Sequence, residues 1–262
     1  MKFKTLLFDI QDNVAHITLN RPEAVNAISI ELARELMIAI MRCDEDPVIR
    51  AVLITGAGSM FSAGGDLKSF AAQGENMPYH LKEVTTYLHV AVSHLVRMDP
   101  PAVAAVQGSA AGAGVSLACA CDIVLAAESA RFTMAYTRAG LTPDGGATYT
   151  LSRLVGLKRA LELALTNRVL SAKEALDWGI VTRVVPEKDL IPEAKAFASQ
   201  LAAGPTRALG AAKRLLHNGL TETLETQMKY ESRSIAEMAG SADGREGIAA
   251  FLGKRAPNFK GQ

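Results

Sequence analysis

Residues 102–127 read AVAAVQ-GSAAGAG-VSLACACD-IVLAA. The run 102–107 is apolar, short and closed by Gly108, as a buried strand is. Small residues then lead into a helix over 113–120, and 123–127 form a second apolar strand. A strand, a glycine-rich turn, a helix and another strand within 26 residues predict an α/β fold with helices packed on a sheet.

The same texture continues on both sides. Upstream, residues 50–55 (RAVLIT) form a buried strand followed by Gly56-Ala57-Gly58, and a helix is expected over 77–98. Residues 29–43 place Leu32, Leu36 and Ile40 at helical spacing behind Ser29, a suitable N-cap. Residues 3–10 and 14–19 flank Gln11-Asp12-Asn13 and predict a hairpin. Downstream, helices are expected over 146–154, 157–166, 171–177, 191–202, 206–217, 221–239 and 242–253, with a strand at 180–184. Gly204-Pro205 is the clearest late break. The chain divides into an α/β core over 1–200 and a helical C-terminal region over 201–262.

Composition narrows the function. The 262 residues are 49% apolar with a formal net charge of +1, and no basic patch suggests nucleic acid. Cys43, Cys119 and Cys121 make neither a disulfide framework nor a zinc site. No run is long enough to cross a bilayer, and the apolar part of MKFKTLLFDI is too short for a signal peptide. A reduced, cytoplasmic protein is expected, with no metal.

Two strand–turn–helix joints could carry chemistry: Phe61-Ser62-Ala63-Gly64-Gly65-Asp66-Leu67 and Gly108-Ser109-Ala110-Ala111-Gly112-Ala113-Gly114. Free N–H groups in a helix's first turn stabilise negative charge. Two such turns side by side could form an oxyanion hole, or they could be plain packing joints. Neither ends in the Gly-Lys-Ser/Thr of a P-loop. Gly112 and Gly114 lack the last glycine of a dinucleotide fingerprint, and Gly114-Val115-Ser116-Leu117-Ala118 misses the nucleophile elbow. Asp144 reads as a base or as the N-cap of the following helix. Asp66 reads as a helix cap, and His89 as a core histidine on an apolar helix face.

In order and spacing these motifs resemble the enoyl-CoA hydratase/isomerase (crotonase) superfamily. The resemblance runs through Asn20-Arg21-Pro22-Glu23, Asn26-Ala27, FSAGGDL (61–67), GSAAGAG (108–114), Cys121-Asp122-Ile123, AGLTPDGG (139–146), AKEALDWG (172–179) and FLGKRAP (251–257). It implies the crotonase (ClpP-like) fold of repeated ββα units, with a C-terminal helical region that builds homotrimers or homohexamers. It assigns the Gly65 and Ala113 N–H groups to a thioester oxygen. It assigns Val25, Ala63, Gly64, Gly65, Asp66 and Leu67 to the coenzyme A site, which Phe251 and Lys254 would reach from a neighbouring subunit. Coenzyme A arrives on the acyl-CoA substrate, and no bound cofactor is implied.

The hydratases of this family use two glutamates, which fall here on Ser116 and Tyr136. Asp144, eight residues after Tyr136, resembles the aspartate of the 3-enoyl/2-enoyl isomerases and of the isomerases of epoxidised phenylacetyl-CoA. An isomerase with Asp144 as base and Tyr136 in the substrate pocket is therefore expected. The 4-chlorobenzoyl-CoA dehalogenases are similar too: there Asp144 would be the nucleophile and His89 the base, with Tyr136 in place of a tryptophan. A hydratase and a non-catalytic acyl-CoA or RNA binder are the remaining alternatives.

Overall fold

The computed structural model describes residues 2–262. The chain enters as a hairpin of β1 (Leu6–Gln11) and β2 (Val14–Leu19). Asp12 and Asn13 turn it, both at positive φ (49° and 64°), as a tight two-residue hairpin turn requires. In α1 (Ile30–Glu45) the Ser29 Oγ accepts the Leu32 N–H at 3.3 Å, and Leu32, Leu36, Ile40 and Cys43 face inward. The first unit continues through β3 (Ala51–Gly56), the short α2 (Leu67–Ala71) and the long α3 (Met77–Arg97). The second comprises β4 (Ala102–Val106), β5 (Ser109–Ala111) and α4 (Ala113–Ala120). The third comprises β6 (Ile123–Ala127), β7 (Arg131–Thr133), α5 (Ala147–Val155) and α6 (Leu157–Thr166). β8 (Leu170–Ser171), α7 (Ala172–Asp177), β9 (Arg183–Val185) and α8 (Leu190–Ala202) follow. After Gly204-Pro205 come α9 (Thr206–Gly219), α10 (Leu224–Gly240) and α11 (Ala242–Leu252).

The larger sheet has the order β1-β2-β3-β4-β6-β9, parallel except for the β1–β2 hairpin. The smaller has the order β5-β7-β8. The bridge Ser62–Ala110 joins the 61–67 loop to it, and the bridge Ile28–Gly65 ties the same loop to the segment before α1. The second and third units thus send one strand to each sheet, which is the ββα repetition that the resemblance implied.

The large sheet is covered on both faces, so its parallel strands read as unbroken apolar runs. Ala51, Leu53, Val103 and Ala105 face α8, which contributes Leu190, Ala194, Ala198 and Ala202 at four-residue spacing. Val52, Ile54, Ala104 and Val106 face the larger core with α1, α3 and α4. Periodicity placed the long elements to within a few residues. It gave no sign of β5, β7 or β8, whose two or three residues are too short to show a period; α2 follows the 61–67 turn as read, with Asp66 as its cap. The expected strand at 180–184 starts only at Arg183, and α10 starts at Leu224 because Thr223 caps it.

α9 is fastened to this core. Lys213 Nζ lies 3.0 Å from both Asp122 Oδ2 and the Leu95 carbonyl. Asp122 Oδ2 also accepts the Ala102 N–H at 2.7 Å. The buried Arg50 donates to the Gly204 and Phe259 carbonyls at 2.6 and 3.1 Å. Removing one partner of a buried ion pair strands the other. Lys213 and Asp122 keep 10% and 19% side-chain exposure, which puts the cost at the low end of the range. Lys213→Ala should lower the unfolding free energy by about 3 kcal/mol, measured by urea denaturation. A loss below about 1 kcal/mol would show that water replaces the pair, as it does for surface ion pairs.

Candidate active site

β3 and β4 are neighbours in register, with Val52 opposite Ala102 and Ile54 opposite Ala104. The loops that leave them therefore meet. The Ser62 N–H donates to the Ser109 carbonyl at 3.2 Å, and the Ala111 N–H to the Ser62 carbonyl at 2.9 Å. Around the Gly65 peptide, the Ile28 N–H binds the Gly64 carbonyl and the Asp66 N–H binds the Ile28 carbonyl. Among the described residues the N–H groups of Gly65 and Ala113 donate to nothing within the chain. Both residues line one cavity of about 220 Å³. Ala113 opens α4, where an N–H has no intrahelical acceptor.

Asp144 lines the same cavity. Its Oδ1 accepts the Tyr136 O–H at 2.6 Å. Ser116 Oγ lies 2.9 Å from the Tyr136 hydroxyl and 3.0 Å from the Asp144 carbonyl oxygen. Asp144 Oδ2 has no partner within the chain among the described residues. Burial, then the charge of Asp144 and its hydrogen bond, push the Tyr136 phenol far above its ordinary ionisation range. Asp144 does not cap α5: Gly146 holds the N-cap position, at φ 74°, and the aspartate side chain turns to Tyr136 instead.

The cavity brings together Ala63, Gly65, Leu67, Ala113, Tyr136 and Asp144. Gly64 is not among its lining residues and packs against the Ala111 and Ala113 backbone. His89 is not among its lining residues. It is exposed on α3 rather than set in the core, and its Nε2 accepts the Gly145 N–H at 3.1 Å. The Asp66 carboxylate is occupied by Arg21 at 2.8 Å and by the Ser69 N–H at 3.0 Å. Burial raises its ionisation point, and these two donors outweigh that and leave it lowered. Val25 is exposed and is not among the lining residues, and its carbonyl accepts the Ala63 N–H. Phe251 and Lys254 lie exposed at the end of α11, away from the cavity lining.

Phe70, Leu81, Val84 and Leu88 form apolar walls that the motifs did not reveal. The spacing of 81, 84 and 88 along α3 is the trace they left in the sequence. Among the described residues no His, Cys, Asp and Glu group could hold a metal ion, and no helix is long and apolar enough to cross a membrane.

A family profile described as Enoyl-CoA hydratase/isomerase matches residues 9–262. The chain belongs to the enoyl-CoA hydratase/isomerase (crotonase) family. It is 40% identical over 259 residues to the 1,2-epoxyphenylacetyl-CoA isomerase of Escherichia coli (strain K12), covering 98% of each chain. It is 35% identical over 244 residues to the 4-chlorobenzoyl coenzyme A dehalogenase-2 of an Arthrobacter species, covering 93% of this chain and 88% of that one. The crystal structure of an enoyl-CoA hydratase from Polaromonas sp. JS666 superposes with a TM-score of 0.92 at 36% identity, over 97% of this chain and 99% of that one. This crotonase-family chain is an acyl-CoA-processing enzyme with the fold its motifs implied.

The Tyr136 environment makes a prediction in alkali. A phenol whose ionisation is raised on folding contributes stability in full below about pH 10, and that stability is lost as the pH climbs past this value. Of the five tyrosines, Tyr136 should stay neutral until the protein unfolds. Wild type and Tyr136→Phe should give superimposable tyrosinate absorbance curves up to the unfolding pH. A missing tyrosine's worth of amplitude in Tyr136→Phe below that pH would contradict the assignment.

Proposed function

We propose that this crotonase-family enzyme is an acyl-CoA isomerase that moves the double bond of an enoyl thioester. Asp144 serves as its proton shuttle, and Gly65 and Ala113 as its oxyanion donors. One observation carries the reading: the cavity holding these two unpaired N–H groups is lined by a single carboxylate. The hydratases that the motifs resemble handle water with two glutamates. Here those positions are Ser116 and Tyr136, bonded to each other and to Asp144.

The chemistry follows from the parts. The thioester oxygen accepts both N–H groups, which makes the C2 proton of a 3-enoyl group acidic. Asp144 Oδ2 removes that proton. The C3=C4 electrons shift to form C2=C3 as Asp144 returns the proton to C4. One proton leaves C2 and one arrives at C4, so mass is unchanged. An apolar cavity of about 150 Å³ takes benzene, so this one, at about 220 Å³, suits a phenyl ring or a medium acyl chain. The name of the Escherichia coli relative supports aryl substrates. The dehalogenase alternative finds less support, because His89 spends its Nε2 on Gly145 outside the cavity.

We further propose that Ala63 to Leu67, with Val25, line the coenzyme A path. Phe251 and Lys254 would reach a neighbour's site in a homotrimer or homohexamer. Leu216, Ile235, Phe251 and Leu252, all more than 70% exposed on α9 to α11, give that region apolar surface to cover. Light scattering should give three or six times 27.8 kDa, and a monomer at micromolar concentration would refute the assembly.

Asp144→Asn should cut turnover of trans-3-hexenoyl-CoA by about 10²–10⁴. Calorimetric affinity for hexanoyl-CoA should hold, because the oxyanion donors are backbone groups. The wild-type product should keep the substrate's mass, whereas hydration would add a water. Wild-type turnover by Asp144→Asn would remove Asp144 from the chemistry.

A further inference from the structure

We infer that Tyr136, anchored by Ser116, is the positioning residue that fixes the Asp144 carboxylate and assigns proton transfer to Oδ2. The inference rests on the isomerase reading and adds to it the device that holds the base. Asp144 is gripped at two points. Its Oδ1 accepts the Tyr136 O–H at 2.6 Å, and its backbone carbonyl lies 3.0 Å from Ser116 Oγ. Ser116 Oγ also lies 2.9 Å from the phenol oxygen and 3.4 Å from the Gly112 carbonyl. Ser116 is fully buried. Gly145 presses on it so closely that a Cβ there would fall 2.9 Å from the Ser116 Cβ. The three residues therefore cannot turn independently.

The arrangement decides which oxygen reacts. The carboxylate torsion of an aspartate is soft and two-fold, so an untethered Asp144 could present either oxygen over a range of angles. Tyr136 occupies Oδ1 and leaves Oδ2 unshared. Burial and the charge of Asp144 hold the phenol neutral, so it donates to the carboxylate and does not compete for the substrate's proton. Once Oδ2 carries that proton, Oδ1 is still an acceptor, and the tether survives both halves of the transfer. The phenol's one hydrogen is committed to Asp144. Its oxygen can then only accept, and the single Ser116 hydrogen is shared between that oxygen at 2.9 Å and the Asp144 carbonyl at 3.0 Å.

The test is steady-state kinetics of the whole protein with trans-3-hexenoyl-CoA. Tyr136→Phe keeps the ring and removes the tether. It should lower kcat roughly 10- to 100-fold, since small misplacement of a base costs up to about 10²-fold, with KM changed by less than about twofold. Ser116→Ala should lower kcat by a smaller factor, roughly three- to tenfold. The double variant Ser116→Ala/Tyr136→Phe should lose less than the product of the two single losses, because Ser116 acts largely through Tyr136. Thermal melts accompany each variant, and Ser116→Ala carries the test if Tyr136→Phe melts early. A wild-type kcat in Tyr136→Phe, a loss confined to KM, or fully multiplicative losses in the double variant would overturn the inference. A wild-type enzyme that leaves the 3-enoyl thioester unchanged would instead sink the isomerase reading, and the inference with it.

Discussion

A side chain at Gly64 would put its Cβ 2.7 Å from the Ala111 carbonyl oxygen and 3.3 Å from the Ala113 nitrogen. One at Gly114 would stand 2.7 Å from the Ser62 carbonyl, and one at Gly108 would overlap the Ser59 carbonyl. The two loops touch backbone to backbone, and only residues without a Cβ permit it. Gly64, at φ 90°, also needs a conformation that other residues rarely adopt. This contact sets the two unpaired N–H groups into one cavity. It is possible because β3 and β4 are adjacent and parallel, so that their loops leave the same edge of the sheet. The core packing of α1, α3 and α8 serves to hold that edge in place.

With the two unpaired N–H groups built into the backbone, the variable part of the cavity is the few side chains around them. Ser116, Tyr136 and Asp144 come from α4, from the turn after β7 and from the turn before α5. A longer side chain at position 116 would meet Gly145, which packs so close that a Cβ there would fall 2.9 Å from the Ser116 Cβ. One carboxylate lines the cavity, and burial and the charge of Asp144 keep the Tyr136 phenol beside it neutral. A lone base can carry a proton from one carbon to another.

Much of this is legible in the amino-acid sequence. Apolar runs of five or six residues marked β3, β4 and β6, the first two closed by glycine, because strands buried on both faces have no polar positions to dilute the signal. Leu32, Leu36 and Ile40 marked α1. The small sheet was not legible, since two- and three-residue strands carry no period and are specified by tertiary contact alone. The family resemblance named Gly65, Ala113 and Asp144, and the structure gathers them around one cavity. The part played by Ser116 was hidden, because its meaning lies in Gly145 and Tyr136, which are 29 and 20 residues away. His89 misled for the opposite reason. Apolar neighbours in sequence suggested burial, but its position on α3 turns it outward to the Gly145 N–H.

The last element of order is the strained turn that supports the first loop. Val25 adopts φ 47° and Asn26 φ 54°, and a β-branched residue in this region costs on the order of 1–3 kcal/mol. Strain of that size persists only where the surroundings over-determine it, and here they do. Asn26 is fully buried. Its Oδ1 accepts the Arg21 N–H at 2.9 Å, and its Nδ2 donates to the Ala57 and Met60 carbonyls at 2.8 Å each. Its own carbonyl accepts the Ser62 hydroxyl at 2.9 Å, and the Val25 carbonyl accepts the Ala63 N–H at 3.0 Å. Arg21 closes the circuit on Asp66 at 2.8 Å. The Asn20-Arg21-Pro22-Glu23 and Asn26-Ala27 motifs are therefore part of the same device as FSAGGDL, though some 35 to 45 residues separate them. Their polar groups bind the loop's backbone from behind, and the Gly65 N–H is left facing the cavity with no partner of its own.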